Sequence, residues 1–333
     1  MVESSAPGNI FLLGEHSVVY ERPALLASLG RRTYVSGDKR DDEKVFVVSE
    51  NYGKIESDIE SLGKRMYESQ GNYMDELDPL RHLISYFHRV VNDLDRGFEV
   101  KIESEIPKDS GGQSSSTAVL TAFFDFLNEL YGGGVDKGDY FSHLYPLQVK
   151  IHGGAASGSE FASSIFGGYN KVVKTPDGQR PVEFENLGNL ELDLVVGDTG
   201  VKAKTDETVS KVRRNWQNNK KMYESYFNSI ADLVGRAEKA IEEKNLEELG
   251  YLMNENHRIL SKQLEVSHPK LEEFVEAARE AGAYGAKLSG GGGGGIMVAL
   301  CDESNKKDVR EAIEEKGGKA GITEVGVPGV MRE

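Results

Sequence analysis

Six consecutive glycines, Gly290–Gly295, stand between Ser289 and the apolar run Ile296–Leu300. Ordering glycine costs more backbone entropy than ordering any other residue, so a folded chain keeps six in a row only for a reason. Either the run is an unstructured link, or its backbone passes close to something that leaves no room for side chains. A link seldom leads straight into a strand-like segment such as "IMVAL", which favours close approach.

Two other small-residue stretches raise the same question. "PKDSGGQSSSTAV" (Pro107–Val119) ends in serines placed where an apolar helical repeat begins, and "HGGAASGSEFASSIFGGY" (His152–Tyr169) lies between a helix-like and a strand-like segment. A glycine- and serine-rich turn at a helix N-terminus offers unpaired N–H groups and a favourable dipole to an anion, and serine hydroxyls add ligands for phosphate oxygens or magnesium. No GxxxxGK[ST] element occurs, and no GxGxxG follows a strand into a βαβ unit, so neither a P-loop nor a dinucleotide-binding turn is supported.

The rest of the chain bounds the setting. Its 333 residues are 38% hydrophobic and 29% charged, ordinary for a soluble globular protein with one or two domains. A formal net charge of −15 argues against a general nucleic-acid or anionic-membrane surface, so an anion site must be local. No run approaches the ~20 apolar residues of a membrane span, and the N-terminus lacks a basic segment before a long apolar core. The single cysteine, Cys301, excludes an intrachain disulfide and reads as a small buried strand residue, so a cytoplasmic location is expected.

"NIFLLGE", "SVVY", "ALLASL", "RTYVS" and "KVFVVS" read as short strands with breaks at Pro23 and Gly30. "GFEVKIESEI" alternates as a half-buried strand, and the run from Ser114 to Gly132 has the cap and stop of a helix. From about Asp206 to Gly282 come long charged amphipathic helices interrupted near Pro269, then a strand–helix–strand ending. The change of composition puts a domain boundary near residue 190, dividing the chain into 1–190 and 191–333.

"APGNIFLLGEHSVVYERPAL" (Ala6–Leu25), "IPKDSGGQSSSTAV" (Ile106–Val119) and "GAKLSGGGGGGIMVAL" (Gly285–Leu300) resemble, in order and spacing, the three motifs of the GHMP small-molecule kinases. The GEH-VVY segment, "HGGAASGSEFASSIFGGY" and "VGDTGVKAKTDETVSKVR" are similar to the mevalonate kinases within that family. The resemblance covers nearly the whole chain. It implies an α+β fold, with an N-terminal α/β domain containing a left-handed βαβ unit, a ferredoxin-like C-terminal domain and ATP bound between them. It also implies Mg²⁺, transfer of the γ-phosphoryl group to the 5-hydroxyl of mevalonate, and homodimers in related kinases. The glycines would line the active cleft. Phosphomevalonate kinase and a non-catalytic nucleotide or metabolite binder stand as alternatives.

Carried over position by position, the family pattern assigns the ATP phosphates to Gly111, Gly112, Gln113, Ser114, Ser115, Ser116, Gly291 and Gly292, with Ser115 on the metal. Glu15, His16, Thr199, Lys202 and Thr205 match positions near the acceptor or phosphates. Three positions depart. Asn9 stands where the family has the lysine of "APGK", Gln148 where it has a magnesium-holding glutamate, and Glu160, with one residue inserted after His152, where it has the aspartate that takes or orients the acceptor proton; without the insertion that position falls on Ser159. Asn9 removes a positive charge, Gln148 is a weaker ligand for a hard cation than a carboxylate, and Glu160 reaches about 1.5 Å further. Gln113 replaces a glycine, and a side chain there is expected to crowd the phosphates or force an unfavourable φ. Gly291 replaces an alanine.

Overall fold

The structure is a computed structural model and describes residues 1–68, 73–108, 111–151, 156–174, 182–187 and 192–333. The predicted boundary near residue 190 lies outside the described residues. In the first half the strands are β1 (Val2–Leu13), β2 (Ala24–Lys39), β3 (Lys44–Ser49), β4 (Gly53–Asp58), β5 (Phe98–Ser104), β6 (Tyr169–Lys174) and β7 (Val182–Asn186). The helices are α1 (Ile59–Glu68), α2 (Asp78–Tyr86), α3 (Ser115–Tyr131), α4 (Tyr140–Ile151) and α5 (Ser159–Phe166). The second half contains β8 (Asp193–Asp198), α6 (Thr205–Asn218), α7 (Lys220–Glu242), α8 (Leu246–Arg258), α9 (Pro269–Glu280), β9 (Gly285–Ser289), β10 (Ile296–Cys301), α10 (Lys306–Glu315), β11 (Lys319–Thr323) and β12 (Met331–Arg332).

Strands β12-β1-β2-β5-β3-β4 form one sheet, with β6 also on β2 and β7 on β6. The β3–β5 pair is parallel and the other pairs are antiparallel. In β5 the alternation is literal: Phe98, Val100 and Ile102 face the core while Glu99, Lys101 and Glu103 face out. Two sequence readings change. "SVVY" forms a 3₁₀ turn, Ser17–Tyr20, because the chain reverses through Gly14–His16 and has no strand to pair with there. "ALLASL" and "RTYVS" join into one continuous strand through Gly30, whose N–H is taken by Glu324 O at 2.9 Å.

The second sheet runs β11-β8-β10-β9, all antiparallel. In chain order its strands lie 4-1-3-2, the arrangement of a βαββαβ unit with additional helices in its first crossover, as the ferredoxin-like expectation requires. The free edge of β9 is covered by α8. Asn254 accepts from Ala286 N at 3.0 Å and donates to Tyr284 O at 3.2 Å, and His257 Nδ1 accepts from Leu288 N at 3.3 Å. Side chains of one helix thus satisfy main-chain groups that a neighbouring strand would otherwise take.

The core of the second half extends over Ile10, Leu12, Leu25, Ala27 and Leu29, so β1 and β2 are packed on both faces. The chain then returns to where it started: β12 pairs with β1, and Arg32 donates to the carbonyls of Pro328 and Gly329 at 2.8 Å each. Among the described residues no helix is long and apolar enough to cross a membrane. Cys301 is buried in β10, as read from the sequence.

Candidate active site

The serine loop leads into α3 by a sharp turn. Gly112 has φ +102 and Ser114, the N-cap, has φ +57. Ser114 does not cap the helix; its hydroxyl donates to Asn9 Oδ1 at 2.9 Å. The first N–H groups of a 17-residue helix are therefore left without a side-chain acceptor, as an anion site at a helix N-terminus needs. Asn9 is completely buried and works as a clamp: its Nδ2 donates to Glu160 O at 3.0 Å and its main-chain N to Gln113 O at 3.2 Å. One neutral amide ties the serine loop to α5.

Gln113 does not force an unfavourable φ. Its backbone stays outside the left-handed region, which Gly112 and Ser114 occupy on either side, and its side chain accepts from Arg31 Nη1 at 3.0 Å. Ser115 Oγ shares a hydrogen bond with Tyr52 OH at 3.2 Å, and Ser116 is exposed.

The glycine run explains itself once its neighbours are seen. A Cβ on Gly292 would lie 2.1 Å from Val266 O, one on Gly294 2.7 Å from Val201 O, and one on Gly295 2.7 Å from Gly111 O. The same stretch is bonded on both sides, Lys204 N donating to Gly292 O at 3.3 Å and Gly293 N to Val266 O at 2.8 Å. Four of the glycines serve close approach to other protein backbone or to Lys204. The first two, Gly290 and Gly291, line a cavity.

That cavity, about 90 Å³, brings Glu15, His16, Glu160, Thr205 and Gly291 together, five positions singled out from the sequence. Phe11, Val18, Val19, Ala156 and Val209 form its apolar part, and Ser157 adds a hydroxyl. Burial pushes the His16 imidazole down to about 4, so it is neutral near pH 7. His16 Nε2 lies 3.1 Å from Gly291 O, and in the tautomer that donates there Nδ1 keeps a lone pair. Glu15 is held from below by Lys287, which is wholly buried, contacts Glu15 Oε1 and also donates to Leu288 O at 2.6 Å. Asn256 of α8 donates to Glu15 Oε2 at 3.2 Å and accepts from Gly14 N at 3.4 Å. Both oxygens of Glu15 are thus engaged within the protein.

Glu160 sits in the first turn of α5, half-buried, and one carboxylate oxygen receives the Gln148 amide of α4. Gln148 is buried and its Oε1 has no hydrogen-bond partner, a ligand atom left open beside the carboxylate. Thr199 donates to Gly295 O at 2.7 Å and so belongs to the support of the glycine run, while Lys202 is exposed. His152 and Gly153 to Ala155 lie outside the described residues, as do Asp109 and Ser110 of the serine loop.

The family model for the GHMP kinases N terminal domain matches residues 80–168, and that for GHMP kinases C terminal matches 237–319. A mevalonate kinase of Pyrococcus abyssi is 35% identical over 344 aligned positions, covering 100% of this chain and 98% of the relative. The chain belongs to the GHMP kinases. A mevalonate kinase of Thermococcus sibiricus is 33% identical over the same full span. The solved structure of L. major mevalonate kinase in complex with R-mevalonate shares the fold at TM-score 0.78 and 23% identity, covering 98% of this chain and 96% of that one.

In this GHMP kinase, Lys287 and Asn256, which hold Glu15, and Arg31, which holds Gln113, are contacts of the candidate site that sequence reasoning missed. Lys287 had a signal: a lysine in the middle of the apolar strand "GAKLS" must find a buried partner, and Glu15 is the carboxylate in the matching first motif. Asn256 and Arg31 had none, since nothing in a solvated-looking helix or strand marks which polar side chain will turn inward.

Proposed function

We propose that this GHMP kinase transfers the γ-phosphoryl group of ATP to the 5-hydroxyl of mevalonate. The observation that carries the reading is the Asn9 clamp, which joins the anion-ready start of α3 to Glu160 in the wall of the acceptor cavity. Residues 1–190 then supply the phosphate loop, and residues 191–333 the glycine run and Thr205. The acceptor is supported by full-length relatives named mevalonate kinase.

Phosphoryl transfer asks the protein mainly for positioning and for stabilisation of charge on the transferring group. The N–H groups of α3 and the hydroxyls of Ser115 and Ser116 meet the phosphates. His16, kept neutral, and Thr205 orient the acceptor without burying a charge against it. Glu160 accepts the hydroxyl proton as the new P–O bond forms and the bond from the γ-phosphorus to the β,γ-bridging oxygen breaks, releasing ADP, and the Gln148 amide fixes its carboxylate. The residues also fit Mg²⁺: Gln148 Oε1, which has no hydrogen-bond partner among the described residues, and Ser115 Oγ would hold it, since Mg²⁺ sites use few protein ligands beside substrate phosphates. When bound, the ion neutralises charge on the β- and γ-phosphates. The reading carries a cytoplasmic location with it, and the homodimer expected from related kinases is tested by sedimentation.

The test is ADP release with Mg-ATP and mevalonate, phosphomevalonate or no acceptor, with the product confirmed by mass. Mevalonate-dependent phosphorylation is expected, and Glu160→Gln should lower kcat by roughly 10²- to 10⁴-fold while the fold stays intact. Product from phosphomevalonate instead, or from neither, rejects the reading.

A further inference from the structure

The phosphate loop holds an arginine for which the mechanism above has no task. Arg31 extends from β2, and its Nη1 donates to Gln113 Oε1 at 3.0 Å. Gln113 is 1% exposed, so this contact is made inside the protein, next to the Ser114 turn that opens α3. The guanidinium also lies over β11, where a Cβ on Gly321 would stand 2.6 Å from Nη2; glycine makes room for it. Three other cations of the region have carboxylate partners, while Lys202 is exposed on the surface. Lys287 faces Glu15, Lys108 pairs with Glu76 at 2.8 Å, and Lys204 with Glu207 at 3.2 Å. Among the described residues Arg31 forms no ion pair. A guanidinium has five N–H donors and suits phosphate oxygens, and in a chain of net charge −15 one without a carboxylate is a charge kept for an anion.

We propose that Arg31 is a positioning residue for the nucleotide phosphates. By holding Gln113 it fixes the loop of residues 111–116, and it brings to that loop a positive charge which Asn9, a neutral clamp, does not supply. The inference rests on the kinase reading but concerns the nucleotide half of the site alone.

The measurement is equilibrium binding of Mg-ADP to the full chain by calorimetry, without acceptor, for wild type, Arg31→Met, Arg31→Lys, Gln113→Ala and the Arg31→Met/Gln113→Ala double variant. Arg31→Met should weaken ADP binding roughly 5- to 20-fold and raise the KM for ATP alongside, with the KM for mevalonate within about twofold. Arg31→Lys should recover part of the loss, and the double variant should lose less than the product of the two single effects. The proposal is overturned if Arg31→Met binds ADP within twofold of wild type, if both KM values shift together, or if the two changes act independently. Wild type that binds ADP but phosphorylates no acceptor would reject the acceptor reading and leave this one standing; wild type that does not bind ADP rejects both.

Discussion

Asn9 shows how a position that looks defective in sequence becomes intelligible in place. A lysine there would lose the acceptor that takes the Ser114 hydroxyl and would put a charge where the Asn9 amide donates only to a main-chain carbonyl, that of Glu160. Asn9→Lys is therefore expected to lower the unfolding free energy by about 2 kcal/mol, read from urea denaturation, instead of restoring a missing function. An equal or higher urea midpoint would refute the clamp. His16 provides the pH dependence. Its folded value is about 4 against 6.5 in the unfolded chain, so between these values the unfolded state binds more protons. The stability tied to neutral His16 is complete above pH 6.5 and is lost as the pH falls towards 4, a loss of roughly 3 kcal/mol by the usual conversion. His16→Gln should lose correspondingly less stability than wild type across that window. Parallel curves for the two proteins would show that His16 is not held neutral by burial.

At the level of elements, the glycine run behaves as a spacer between backbones. Gly292→Ala would bring a Cβ to 2.1 Å from Val266 O at a φ of +78, whereas Gly53, at φ +96, has nothing within 4 Å of its Cβ position. Gly53→Ala should cost about 1 kcal/mol for the left-handed backbone alone. Gly292→Ala should cost at least roughly 2 kcal/mol more and lower turnover, because Gly291 beside it accepts or faces His16 in the cavity. Equal thermal midpoints for the two variants would mean that the run does not need its close contacts. α8 plays a related part: Asn254, Asn256 and His257 use one helix to finish the edge of β9 and to hold Glu15.

For the molecule as a whole, the last residues bind the halves into one unit. Ser28 Oγ donates to Val327 O at 2.6 Å, Gly168 N to Val327 O at 2.9 Å and Val330 N to Ser164 O at 2.9 Å, while the second core continues under β1 and β2. Unfolding should accordingly be a single transition. Trp216 fluorescence, which reports on α6, and far-UV circular dichroism should give coincident curves in urea. Removal of residues 325–333 should separate them or abolish stable folding; curves that are already separate in the intact chain would show that the halves fold independently.

Much of this was legible in the sequence. Alternation located β5, a glycine stop ended α3, and the three motifs in order led to the fold, because each depends on residues near one another in the chain. The lack of any run long and apolar enough for a membrane-crossing helix was legible for the same local reason. What the sequence could not decide was direction. Whether Gln113 would face the phosphates or Arg31, whether Ser114 would cap its own helix or bind Asn9, and which carboxylate would meet Lys287 are choices between partners dozens to hundreds of residues apart. They are settled by which backbone passes within hydrogen-bond reach of which, and only the packed tertiary structure determines that.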